Sequence, residues 1–186
     1  MSTSPWSLPG LPPLPDDGAC DHLPGRILPP LQLPAHDGTM LDLAGLRGLT
    51  ILFVHTLIGR PDRPNPPDWD QIPGAHGSTP QALGYRNLHG TFQREGIAIL
   101  GLSAQDSEAQ LEAATRLDLP FPLLSDTERS FGNALGLPRF TSAGKSLTQR
   151  ATLILRDTLI LTVLYPVPDP AEDAGTALSW LRSHRS

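Results

Sequence analysis

The strongest constraint on how this chain can fold is a pair of short apolar runs, LTILFVHT at 49–56 and IAILGLS at 97–103. Each has the length of a strand and is apolar on both of its alternating faces, as a strand buried between two layers requires. Between them lie a loop over 57–77 with five prolines and a segment over 80–95. In that segment Tyr85, Leu88 and Phe92 recur at helical spacing. Gly84 and Gly90 weaken the helix, each by roughly 1 kcal/mol relative to alanine. A helix joining the two runs makes them parallel neighbours in one sheet, with a right-handed crossover.

The rest of the chain extends this layout. The pattern predicts a helix over 107–117 with Ser107 as N-cap, then a short strand over 121–124. A helix over 127–135 is stopped by Gly136 and Pro138. Strands over 151–155 and 159–164 are joined by a tight turn at Arg156, Asp157 and Thr158. A last helix over 171–182 is anchored by Leu178, Trp180 and Leu181. Crossover helices first and a hairpin before the final helix give an α/β fold with a mixed central sheet and helices on both faces. That order is thioredoxin-like. Residues 1–30 are rich in proline and glycine and read as an extended segment held by Leu23, Ile27, Leu28 and Leu31. No repeat or linker divides the 186 residues, so one domain is expected over 1–186.

Composition excludes several functions. The net charge is -5 and no lysine/arginine cluster is present, so no nucleic-acid partner is expected. The longest apolar stretch falls far short of the ~20 residues that span a bilayer, and the first ten residues lack the pattern of a secretory signal. A cytoplasmic location without membrane contact is the default. The single cysteine, Cys20, cannot form an internal disulfide. Asp16, Asp17 and Asp21 surround it in sequence and raise its pKa, which argues against a redox role.

The chemistry concentrates in AHGSTPQALGYRN, at 75–87, where a loop enters the first long helix. Ser78, Thr79, Pro80 and Gln81 match S-x-x-Q, a capping box. Thr79 as N-cap with Pro80 in the first helical position is also favoured. No G-x-S-x-G elbow supports a serine hydrolase. His22, His36, His55, His76, His89 and His184 show no close ligand spacing, so solvent-facing or capping roles are expected. His55 and His76 are the two able to converge, with Asp68 or Asp70, but no metal and no other cofactor is expected. Trp69 is expected to pack beneath the long loop.

The segment WDQIPGAHGSTPQAL, at 69–83, resembles the peroxiredoxin pattern W-D-x-I-P-G-A-R-G-C-T-P-Q-S-C. DDGACDHLPG, GRP, YRN, GLSAQD, RLDLPFPLLSD, QRATLILRD and YPV extend the resemblance along the chain. The chain is thus similar to peroxiredoxins of the alkyl hydroperoxide reductase/thiol-specific antioxidant type. That resemblance implies a thiol-dependent hydroperoxide reductase, with a hydroperoxide and a thiol reductant as partners and a homodimer as a plausible assembly. It places Ser78 at the position of the attacking cysteine and Leu83 at that of the resolving cysteine. Thr56 stands where a proline usually closes the strand, and His76 replaces an arginine. Arg150, in Arg150-Ala151-Thr152, matches the arginine that supports thiolate and peroxide. Ser78, Arg150 and Thr56 are therefore the candidate catalytic positions, and Trp69, His76, Gly77, Thr79 and Pro80 the candidate pocket.

A thiol at position 78 would be activated by the free amides and positive dipole end of the helix and by Arg150. A serine hydroxyl needs an activating base and has no reversible sulfenic step. The chain as written is therefore expected to lack peroxidase activity through position 78. Three readings stay open. One is a native serine in a binding or interaction protein, a peroxiredoxin-like pseudoenzyme. Another is an active one-cysteine peroxidase carrying a cysteine-to-serine change. The third is a different enzyme on the same fold.

Overall fold

The computed structural model describes residues 12–184. The extended segment expected over 1–30 falls partly outside that range, as 1–11. Its described part is fixed by buried Cys20, Leu23 and Leu28, while Ile27 is 59% exposed and does not anchor it as expected.

Nine strands and four α-helices follow in order. They are β1 (Gln32–Pro34), β2 (Met40–Asp42), β3 (Leu49–Val54), α1 (Ser78–Arg94), β4 (Ile97–Ser103), α2 (Ser107–Arg116) and β5 (Leu123–Ser125). Then come α3 (Ser130–Leu135), β6 (Arg139–Ser142), β7 (Lys145–Thr148), β8 (Ala151–Arg156), β9 (Leu159–Leu164) and α4 (Asp173–Ser183). The central sheet has the order β5-β4-β3-β8-β9. β3 pairs parallel with β4 and antiparallel with β8, so the two apolar runs are neighbours as their crossover demands. β8 and β9 form the antiparallel hairpin.

Strand alternation divides the core in two. Ile51, Phe53, Ile99 and Ile154 face a layer built from α1, α2 and α4. Leu52, Val54, Leu100 and Leu153 face α3 and the N-terminal segment. Helices therefore cover both faces, three on one and one on the other. Phe53 stacks on Tyr85 of α1 at 4.5 Å and meets the edge of Phe121 at 5.6 Å. Such pairs add roughly 0.5–1.5 kcal/mol beyond their area burial, and they pin the first half of α1 to the sheet.

Some local expectations are corrected. α2 is capped by Asp106, whose carboxylate accepts from Ala109 N, rather than by Ser107. The third strand and third helix each begin later than the pattern suggested. Gly84 is more than a weak point in α1. A Cβ there would lie 2.9 Å from the Ala171 carbonyl oxygen, so its absence lets the 170–172 turn close on the helix. The small hairpins β1–β2 and β6–β7 were not foreseen. No helix among the described residues is long and apolar enough to cross a membrane.

Candidate active site

α1 begins two residues earlier than its apolar stripe suggests, at Ser78. Gly77 is its N-cap, with φ 111°, and its carbonyl accepts from Gln81 N at 3.0 Å. A Cβ at Gly77 would lie 2.4 Å from Pro170 Cγ, so only glycine serves there. No side chain caps this helix, which corrects the capping-box reading of Ser78 and the alternative through Thr79. Pro80 still lies in the first turn, where a missing N–H costs nothing.

The Ser78 hydroxyl turns instead toward the end of β3, with the residue only 2% exposed. Its Oγ accepts from Thr56 N at 3.2 Å, Leu57 N at 3.3 Å and Arg150 Nη2 at 3.1 Å. Thr56 Oγ1 lies 2.9 Å away and donates its own proton to the Ala75 carbonyl at 2.8 Å. A carbonyl cannot donate, so the Thr56 lone pairs must receive the Ser78 proton. Three donors, one of them cationic, thus converge on one oxygen at a helix N-terminus. That is a cradle suited to an anion.

Arg150 is itself 2% exposed, and all three of its nitrogens are engaged. Nε donates to Gln81 Oε1 at 3.1 Å and Nη1 to Gly74 O at 2.9 Å. Burial lowers its pKa to about 10, with Asp173 opposing the shift, so it stays cationic at neutral pH. Behind it lies Asp173, the first residue of α4, whose Oδ2 accepts from Gln81 Nε2 at 2.9 Å, Tyr85 OH at 2.8 Å and Thr152 Oγ1 at 2.7 Å. Burial raises the Asp173 pKa, and these three hydrogen bonds and Arg150 oppose that rise. Asp173 fixes which end of the Gln81 amide faces Arg150. Asp173 is not marked by the sequence, and Tyr85 is marked only as part of an apolar stripe, because nothing local identifies an aspartate near the chain end as the partner of a motif at 78–81.

Asp173→Ala should strand three buried donors and destabilise the fold by about 3–5 kcal/mol. Asp173→Asn keeps an oxygen for them and should cost far less. Urea midpoints of the two variants decide this, and equal losses would show that the shared acceptor is unimportant.

The other predicted positions separate. Thr79 and Pro80 border a cavity of about 290 Å³ with Leu83, Gly84, Asn87 and Ala171. His76 faces outward and pairs with Asp70 at 2.8 Å. Asp68 is taken up by Ser142 Oγ and Ala143 N. Trp69 is buried beneath the loop with Ala75 and Leu147, and Phe140 lies 5.9 Å from it. His55 does not face solvent as expected. It is wholly buried, and its pKa is lowered to about 3, first by burial and then by Arg150, with Gln110 opposing. Cys20 is buried in the opposite core layer, and its thiol is raised to about 12, chiefly by burial and then by Asp17, Asp21 and Asp16.

Residues 72–163, which include Ser78 and Arg150, match the AhpC/TSA family. The chain carries an AhpC/TSA family domain over these residues. Among relatives, peroxiredoxin bcp of Coxiella burnetii is 25% identical over 146 residues, covering 76% of this chain and 87% of that protein. The chloroplastic peroxiredoxin Q of Sedum lineare is 25% identical over 141 residues, covering 76% and 67%. Among solved structures, peroxidoxin BcpB of Mycobacterium tuberculosis superposes with a TM-score of 0.72 at 24% identity, covering 89% of this chain and 100% of that one. A cysteine-to-serine variant of PrxQ from Xylella fastidiosa gives 0.72 at 18% identity, covering 88% and 98%. These structures share the thioredoxin-like fold expected from the order of elements.

Proposed function

We propose that this chain is a peroxiredoxin-fold protein that retains the anion cradle of a thiol peroxidase but, with serine at position 78, does not reduce hydroperoxides there. The observation that carries the reading is the convergence of Thr56 N, Leu57 N and Arg150 Nη2 on Ser78 Oγ. In a thiol peroxidase the thiolate attacks the hydroperoxide, the O–O bond breaks, an alcohol or water leaves and a sulfenic acid forms. A thiol then reduces the sulfenic acid, releasing water and forming a disulfide. Ser78 supports neither half. Its proton is held by Thr56, no imidazole or carboxylate is hydrogen-bonded to it, and its oxygen has no sulfenic state. Leu83 leaves no thiol at the resolving position.

On this reading the parent chain, mixed with hydrogen peroxide or tert-butyl hydroperoxide and excess dithiothreitol, consumes peroxide no faster than a protein-free blank. Catalytic consumption that survives alkylation of Cys20 would overturn it. The intact cradle supports one further reading, an active one-cysteine peroxidase in which cysteine is native at position 78. The codon at that position in the native gene separates it from a natural loss and a binding role. A cytoplasmic location and a homodimer belong to the same proposal, the latter tested by size exclusion with light scattering.

A further inference from the structure

A second cavity, of about 470 Å³, opens at the carboxyl ends of β3 and β4, between the proline-rich loop, the start of α2 and the β6–β7 hairpin. Its size is that of a small-molecule site. Leu57, Ile58, Pro64, Pro66, Ala104 and Leu147 give it an apolar wall. Its four ionisable lining residues are Arg60, Arg63, Asp106 and Lys145, so three of four are cations in a chain with 14 basic and 19 acidic residues. Arg60 is paired with Asp62. Asp106 is exposed and caps α2 by accepting from Ala109 N. The Arg63 and Lys145 side chains make no hydrogen bond or salt bridge among the described residues, although Arg63 lies close enough to Asp62 to help lower that carboxyl's pKa. Gln105 is fully used, since its amide accepts from Ile58 N at 2.9 Å and donates to Ile58 O at 3.3 Å, which braces the wall.

We propose that this cavity binds an organic monoanion with an apolar body, a carboxylate on an alkyl chain, with the chain against the apolar wall and the carboxylate between Arg63 and Lys145. Burying alkyl carbons supplies most of the affinity, and the two exposed cations supply selectivity for charge. The site stands whether or not position 78 is chemically active, because none of its contacts involve the Ser78 hydroxyl. Leu57 links the two places, lining the cavity while its N–H donates to Ser78 Oγ.

Calorimetric titration of the full chain with decanoate, below its micelle threshold, should give one saturable site. Trp69 emission should shift with occupancy, because Leu57, Ala104 and Leu147 of the cavity wall belong to the apolar cluster built around Trp69. Arg63→Ala combined with Lys145→Ala, both exposed positions, should weaken decanoate roughly fivefold to tenfold, as expected for two solvent-exposed charge contacts, and leave decanol unchanged. Ala109→Phe should abolish binding of both. Each variant is checked for an unaltered far-UV spectrum and melting temperature, and Arg63→Gln with Lys145→Gln repeats the charge test if the alanine pair is destabilised. Absence of saturable decanoate binding overturns the site. Equal binding of decanoate and decyltrimethylammonium, or binding unmoved by both sets of variants, overturns the assignment of charge and place.

Discussion

Ser78→Cys should give a chain that consumes hydroperoxide in the presence of a thiol, where the parent, on the function proposed above, does not. The cradle already supplies what a thiolate needs. Two backbone amides and the Arg150 guanidinium point at the atom in position 78, and α1 presents its N-terminus there. The introduced thiol should titrate at least about one unit below the ~8.5 of free cysteine, read from thiolate absorbance against pH. Thr56 must change partners in this variant. It now donates to the Ala75 carbonyl and receives the serine proton, whereas a thiolate has no proton to give. Its hydroxyl is expected to rotate and donate to sulfur. Thr56→Val in the Ser78→Cys background should therefore raise the thiol pKa and slow peroxide consumption. An introduced thiol that titrates near 8.5 and consumes neither hydrogen peroxide nor an alkyl hydroperoxide would mean that the cradle serves the hydroxyl and was never a thiolate site.

Much of this architecture is legible in the residues, for a physical reason. β3, β4 and β8 are apolar segments whose burial on both faces leaves little choice of partner, and the crossover fixes the direction of the first two. The two small hairpins escape notice because their strands are three or four residues long and half exposed. The β6–β7 turn also places Ala143, a non-glycine residue, at φ 46°. At the site, Ser78 and Arg150 are legible through their motifs, but the use of Ser78 is not. Its sequence neighbours form a good capping box, and only the fold brings Thr56 and Leu57 close enough to outcompete the local amides. Asp173 is the extreme case, since it joins Gln81 across 92 positions. Local pattern carries information about periodicity and turns. It carries none about which distant polar group a buried side chain will meet.

His55 gives the second large effect, on stability rather than chemistry. It follows β3 directly and is wholly buried; neither ring nitrogen has a hydrogen bond of good geometry among the described residues, and the Gln110 side chain opposes the lowering of its pKa only as the last of the causes. Phe53 lies 6.0 Å away, and Arg150 adds a positive charge nearby. Burial first and Arg150 second lower its pKa from 6.5 to about 3. The folded state therefore holds a neutral imidazole where the unfolded chain takes up a proton below pH 6.5. A base with a lowered folded pKa contributes stability that is intact above its unfolded pKa and is lost as pH falls toward the folded one. Between pH 6.5 and 4 the parent should lose roughly 3 kcal/mol through this group alone. His55→Phe removes the titration and keeps the shape of the ring. Because the imidazole nitrogens make no hydrogen bond of good geometry, the swap should cost little at pH 7.5. Urea midpoints from pH 8 to pH 4 should then diverge, with the parent falling and the variant holding more of its stability. Parallel curves would mean that the imidazole reaches water or a proton acceptor in solution, and that His55 is not held neutral by the core.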